Sequence, residues 1–245
     1  MKVTILGSAG MYATPSRAAS GYLVELGGTR IWLDAGAGTW RNLLAHVDYT
    51  EIDGVVLTHR HPDHVTDVFQ AFHARQYGAS EPLEPVPLWA PGETLERVLG
   101  FARELDTSFD LREIKAGDAL EVGGARISLH EMAHSVETVG VRIESGETFA
   151  YSADTGPGGD LDALAAGADV FLCEATFQNS DPPWEGHLSA AQAGSIAARA
   201  GVGRLVITHL RPGRDDELSL AEAEAASGDV PVELAHDGMA LELRA

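Results

Sequence analysis

Residues 55–65 read VVLTHRHPDHV, and four potential metal ligands, His59, His61, Asp63 and His64, stand within six residues directly after an apolar run. Val55, Val56 and Leu57 fit a buried strand. Alternate residues of an extended segment share a side, so His59 and His61 face the same way. Pro62 suits the first position of a helix, and the turn there carries Asp63 and His64 toward the same point. Neutral imidazole and carboxylate suit Zn²⁺ best, with Fe and Mn as poorer matches. The competing reading is a solvated charged turn, and three histidines with an aspartate at this spacing weigh against it.

Outward from this cluster, short apolar strands alternate with helical patterns, which makes an α/β protein. Strands are expected near 2–6, 21–26, 29–34, 54–58, 86–90, 125–131, 138–144, 148–152, 170–174, 204–208 and 239–243. Helices are expected over 64–77, 93–105, 161–166, 189–200 and 219–226. The stretch 78–87 has three prolines and reads as a surface connection. The chain also echoes itself. IWLDAGAG (31–38) is followed by the cluster strand, and FAYSADTG (149–156) is followed by LVITHL (205–210), so each half ends strands in Asp and in Thr-His. Ligands in α/β sheets gather at that edge. The expectation is one domain over 1–245 built from two αβ halves, about 1–115 and 116–245.

Composition narrows the function. Among 245 residues, 17 are basic and 37 acidic, a formal charge of −20. Polyanion binding rests on Lys and Arg neutralising phosphates, so a bulky nucleic-acid partner is disfavoured. A small phosphorylated substrate remains open, because metal ions can meet its charge locally. The one cysteine, Cys173, excludes an internal disulfide and a cysteine metal cluster, and reads as an inert buried thiol. No long apolar run predicts a membrane span or a secretory leader, so a cytoplasmic protein is expected. A homodimer is compatible with the sequence.

Six ligands would hold two metals, so further His and Asp are sought on later loops. His134, Asp154 and His209 each follow an apolar strand. At this point the chain resembles the metallo-β-lactamase superfamily: THRHPDH fits its HxHxDH motif, and Asp34, His134, Asp154 and His209 fit the other motif positions in order. HSVETVGVRI, YSADTG, DVFLCEATF, GHLSAAQAG and LVITHL carry a finer likeness to ribonuclease Z and its shorter relatives, among them atypical bacterial cyclic-nucleotide phosphodiesterases. The resemblance implies a four-layer αβ/βα sandwich. It also implies two Zn²⁺, with Mn²⁺ or Fe as alternatives: His59, His61 and His134 on one ion, Asp63, His64 and His209 on the other, and Asp154 bridging. Asp34 is expected to support a ligand from behind.

In that pattern His187 donates a proton to the leaving alkoxide and Glu174 orients its ring, which with Asp63 completes the catalytic set. The helix opened by Ser189 is expected to offer free N–H groups to an anion. His46, His73, His130 and His236 lack ligand-like partners and read as structural. Tyr12, Trp40 and Trp184 could stack on a base, a use set against the commoner reading of large aromatics as packing or rim residues, and Val65, Val68, Phe69 and Phe72 read as core. Ribonuclease Z carries a long tRNA-clamping arm between the motifs of His134 and Asp154, whereas here only 19 residues intervene. The expected activity is hydrolysis of small phosphodiesters, cyclic nucleotides foremost. A ribonuclease Z and a non-catalytic metal-stabilised binding protein are the rival readings.

Overall fold

The computed structural model describes residues 1–81 and 83–243, so Pro82 of the expected 78–87 connection lies outside it. Two seven-stranded mixed sheets form its centre. In the first, β1 (Lys2–Gly7), β2 (Gly21–Leu26) and β3 (Thr29–Ala35) run antiparallel. From β3 onward, β4 (Gly54–Val56), β5 (Val86–Ala90) and β6 (Phe109–Glu113) are parallel. The second sheet repeats the plan. β7 (Ala119–Val122), β8 (Ala125–Glu131), β9 (Val139–Glu144) and β10 (Thr148–Tyr151) are antiparallel. β11 (Val170–Glu174), β12 (Leu205–Thr208) and β13 (Val232–Leu234) then follow in parallel. β14 (Ala240–Glu242) returns to pair with β1.

Three apolar layers follow from this plan. Ile5, Ile31 and Leu33 of the first sheet meet Val141, Phe149 and Leu172 of the second, giving the layer between the sheets. On the outside, Val68, Phe72 and Val98 of α3 (Val68–Tyr77) and α4 (Gly92–Phe101) cover the first sheet. Leu161, Leu164 and Ile196 of α5 (Leu161–Ala165) and α6 (Ala190–Ala200) cover the second. The result is the four-layer sandwich. Val65 joins the buried stripe and Phe69 packs half-buried against it, so that stripe is core. Among the described residues no helix is long and apolar enough to cross a membrane.

Several expected elements change at their ends. The expected helix over 64–77 is two: α2 (Pro62–Val65) and α3. Asp67 between them turns its carboxylate back onto the N–H groups of Gly38 and Trp40, both at 2.8 Å. The helix expected over 93–105 ends at Phe101, where Ala102 turns extended, and buried Leu105 reaches the core from a separate 3₁₀ turn. The strands β6, β7 and β13 and the short helix α1 (Thr39–Leu43) were not expected. β6 and β7 lie at sheet edges with much of their length exposed, so no apolar run marks them. Topology also shifts the internal echo: β4 occupies the place of β11, and β12 that of β5. Thr-His ends strands in both halves, and a match between short strings does not fix which strand answers which.

Candidate metal centre

Every donor of the candidate site stands at the carboxyl ends of strands, on the edge where the two parallel runs face each other. His59 follows β4, His61 caps α2, and Asp63 and His64 lie in its first turn, with Pro62 at the first helical position. His134 comes from the loop after β8, Asp154 from the loop after β10, and His209 directly follows β12. The donor atoms fall into two groups, each with all atoms within 4.8 Å of one another. In the first, His61 Nδ1 lies 3.1 Å from His134 Nε2, and Asp154 Oδ2 lies 3.6 Å from His59 Nε2. In the second, Asp154 Oδ1 lies 3.2 Å from His64 Nε2 and 3.3 Å from His209 Nε2. Asp63 Oδ2 completes that group, 3.3 Å from His209 Nε2. Asp154 thus turns one oxygen to each group.

His59 Nε2, His64 Nε2 and Asp154 Oδ1 are buried without a hydrogen-bond partner among the described residues. A buried unpaired polar atom costs about 1–3 kcal/mol, so three converging on one place call for a cation between them. Burial and the neighbouring His64 hold the His59 imidazole well below its ordinary range. Burial and His134 lower His61, and burial lowers His134. These three present the neutral form that a metal takes. Burial also acts on His64 and Asp154, but charge prevails: Asp154 and Asp34 raise His64, and His209 and His64 lower Asp154. A cation between His64 Nε2 and Asp154 Oδ1 would give both atoms a partner. The donor set of imidazoles and carboxylates fits divalent metal ions.

A second layer of bonds fixes the rings. Asp34 Oδ2 accepts from His64 Nδ1 at 2.7 Å, from Thr58 Oγ1 at 2.9 Å and from Tyr151 Oη at 3.0 Å. Thr58 Oγ1 lies 3.1 Å from His59 Nδ1, and Thr176 Oγ1 lies 2.8 Å from His209 Nδ1. His134 Nδ1 donates to the Gly186 carbonyl at 2.7 Å. Sequence reading found Asp34 but not Thr58, Tyr151, Thr176 or the Gly186 carbonyl. Only the position of Thr58 beside His59 could have signalled any of these. Asp34→Asn keeps the shape but removes the charge behind His64. It should weaken metal affinity by ~10–100-fold, measured by competition with a chelator, with the fold retained.

Beside the second group, His187 Nδ1 donates to Glu174 Oε1 at 2.6 Å. Glu174 also accepts from the backbone N–H groups of Thr155, Thr176 and Leu188 and from Thr176 Oγ1, so its oxygens are fully engaged. Burial pulls His187 down, but the Glu174 carboxylate prevails and holds it at about 9. His187 stacks on His209 at 5.3 Å and leans on His134 at 5.0 Å. The site therefore pairs a donor cluster with an oriented, protonated imidazole.

The backbone around the site is strained. All four non-glycine residues with positive φ among the described residues, Met11, Asp34, Ala153 and His209, are donors or their supports and neighbours. Such conformations cost of order 1–3 kcal/mol and persist only where the surroundings enforce them. The Met11 N–H donates to Asp63 Oδ2 at 2.8 Å, which gives the 10–20 loop a role that the sequence did not disclose. Asp237 holds the ends of that loop through Ser8 and Ala18. Close backbone packing matters at Gly156, where an added Cβ would lie 1.5 Å from the Glu185 carbonyl oxygen. Gly156→Ala should destabilise the protein by about 1–3 kcal/mol, read from urea unfolding, because the segment carrying His187 must shift.

Other sequence expectations fall outside the cluster. The N–H groups at the start of α6 are largely taken: Ser189 and Gln192 form a capping box, and the Ala190 N–H donates to Phe177. The expected anion site there is therefore corrected. His130 bonds Asp160 and His236 bonds the Asp237 carbonyl, and His73 packs on Phe72 and Tyr77. Cys173 is fully buried, and burial pushes its thiol up. Trp40 packs on Trp32 and Tyr49, away from the donors. Trp184 and Tyr12 are exposed.

A family model described as "Beta-lactamase superfamily domain" matches residues 29–210. The chain is 37% identical to the uncharacterized protein ML1173 of Mycobacterium leprae, over 100% of this chain and 89% of the relative. It is 30% identical to a protein named ribonuclease Z from Kineococcus radiotolerans, covering 96% of this chain and 93% of the relative. Among solved structures it is similar to the metallo-beta-lactamase fold protein YhfI from Bacillus subtilis, with a TM-score of 0.89, 26% identity and 98% of both chains covered.

Proposed function

This chain belongs to the β-lactamase superfamily and is a metal-dependent hydrolase by family, and on that premise we propose that it uses two Zn²⁺ ions to cleave small phosphodiesters, cyclic nucleotides foremost. The observation that carries this reading is the Glu174–His187 pair beside the donor cluster. His59, His61 and His134 would hold one ion, Asp63, His64 and His209 the other, with Asp154 shared. Two cations would activate water and stabilise charge on the phosphoryl oxygens. The alkoxide leaving group needs a proton, and His187 supplies it from Nε2 while Nδ1 stays on Glu174. Glu174 holds the ring in one orientation and keeps it charged before transfer. A metal-stabilised scaffold has no need of such a donor.

Substrate size rests on what stands between His134 and Asp154. That interval holds β9 and β10 and their short connections, leaving no length for a tRNA-clamping arm. The alignment with ribonuclease Z runs over 294 positions against 245 residues here, so that relative carries stretches with no counterpart in this chain. The identity with ribonuclease Z nevertheless favours tRNA 3′-end cleavage as a second reading. Protein loaded with Zn²⁺ or Mn²⁺ is to be assayed on cyclic nucleotides, bis(p-nitrophenyl) phosphate, a lactam and a pre-tRNA. The first two should turn over. Pre-tRNA cleavage far above cyclic-nucleotide hydrolysis would establish the second reading instead.

A further inference from the structure

Trp184 stands at the mouth of the site. Its ring centroid lies 5.0 Å from that of His187 and 5.9 Å from that of His134, yet the residue is 47% exposed. The backbone fixes it there. An added Cβ on Gly186 would lie 2.5 Å from the Trp184 ring, so the indole rests against that glycine. The same Gly186 presents its carbonyl to His134, and His187 follows it directly. Platform, ligand support and proton donor thus lie on four consecutive residues.

Two cavities have this indole in their walls. One of about 510 Å³ runs past His134 and Ser135, and one of about 650 Å³ runs past His187, with Phe177, Pro182 and Pro183 in its wall. A ring on Trp184 therefore sits beside the imidazole that protonates the leaving oxygen. Charge gives the second argument. With 17 basic against 37 acidic residues, the chain has few side chains with which to grip an anionic substrate beyond the metal ions. The Trp184 face, with Phe177, Pro182 and Pro183 nearby, offers affinity for the organic part that does not depend on basic side chains.

We propose that Trp184 is the specificity platform of the site, stacking the nucleobase of a nucleoside phosphodiester whose phosphate lies over the donor cluster. This rests on the phosphodiesterase reading above and adds to it the residue that recognises the base. Base–aromatic stacking accepts every base, so the platform selects for a ring rather than for one base.

The test compares adenosine 3′,5′-cyclic phosphate with glycerophosphoethanolamine, a phosphodiester without a ring. Trp184→Ala should lower the ratio of kcat/KM for the cyclic nucleotide over the ring-free diester by ~5–100-fold, mainly through KM. Trp184→Phe should restore most of that ratio. Independently, adenosine 5′-monophosphate should quench tryptophan emission of the Zn²⁺-loaded wild type and much less that of Trp184→Phe, since Trp32 and Trp89 are buried and the partly buried Trp40 packs on Trp32 and Tyr49, away from the donors. An unmoved ratio with equal quenching in both proteins overturns the platform and leaves the phosphodiesterase reading standing. If neither diester is hydrolysed, that reading fails, and the quench alone decides whether Trp184 binds a ring.

Discussion

Asp154→Ala is expected to strip both metal ions together and to take hydrolysis to background. The carboxylate turns Oδ2 toward His59 and His134 and Oδ1 toward His64 and His209. No other residue belongs to both of these donor groups. Its removal leaves five histidines and Asp63, a set with a single anion for two divalent cations. Metal content per chain after dialysis, by elemental analysis, should fall from two to near zero, while far-UV circular dichroism stays unchanged. The core layers do not depend on this side chain. Loss of only one ion would make Asp154 a ligand of one metal alone.

The second large effect separates metal binding from proton transfer. His187 stacks on His209 and leans on His134, and its Nδ1 is held by Glu174; it shares a donor group with Glu174 and His209 but belongs to neither group that contains Asp154. His187→Ala should therefore retain both metals. An alkyl leaving group, such as the ribose 3′-oxygen, needs a proton as the P–O bond breaks, and removing a general acid costs ~10²–10⁴-fold in turnover. p-Nitrophenolate leaves without one, so bis(p-nitrophenyl) phosphate should slow much less. Glu174→Gln should show a weaker form of the same asymmetry. Equal slowing of both substrates with metals retained would assign His187 to phosphoryl binding. Loss of a metal would make it a ligand.

Local spacing made the cluster at 59–64 legible, because strand alternation and a proline-initiated helix fix where those four side chains point. His134, Asp154 and His209 were legible as polar residues ending apolar strands. Their supports were not. Tyr151 reaches Asp34 from the other sheet, and Thr176 reaches His209 from the neighbouring strand, contacts that tertiary packing alone creates. The left-handed backbone at Asp34, Ala153 and His209 carries no glycine to announce it. Nor did the sequence disclose that Asp67 ends one helix and starts another, since its partners lie on a different element. The edge strands β6 and β7 lack an apolar run because one side of each has no neighbour to bury it.

On the reading proposed above, two ions held across Asp154 make this chain a phosphodiesterase. Titrating the chelator-stripped protein with Zn²⁺ while following cyclic-nucleotide hydrolysis tests it most directly. Activity should climb to a plateau at two ions per chain. A plateau at one ion, or no hydrolysis at any loading, would contradict it.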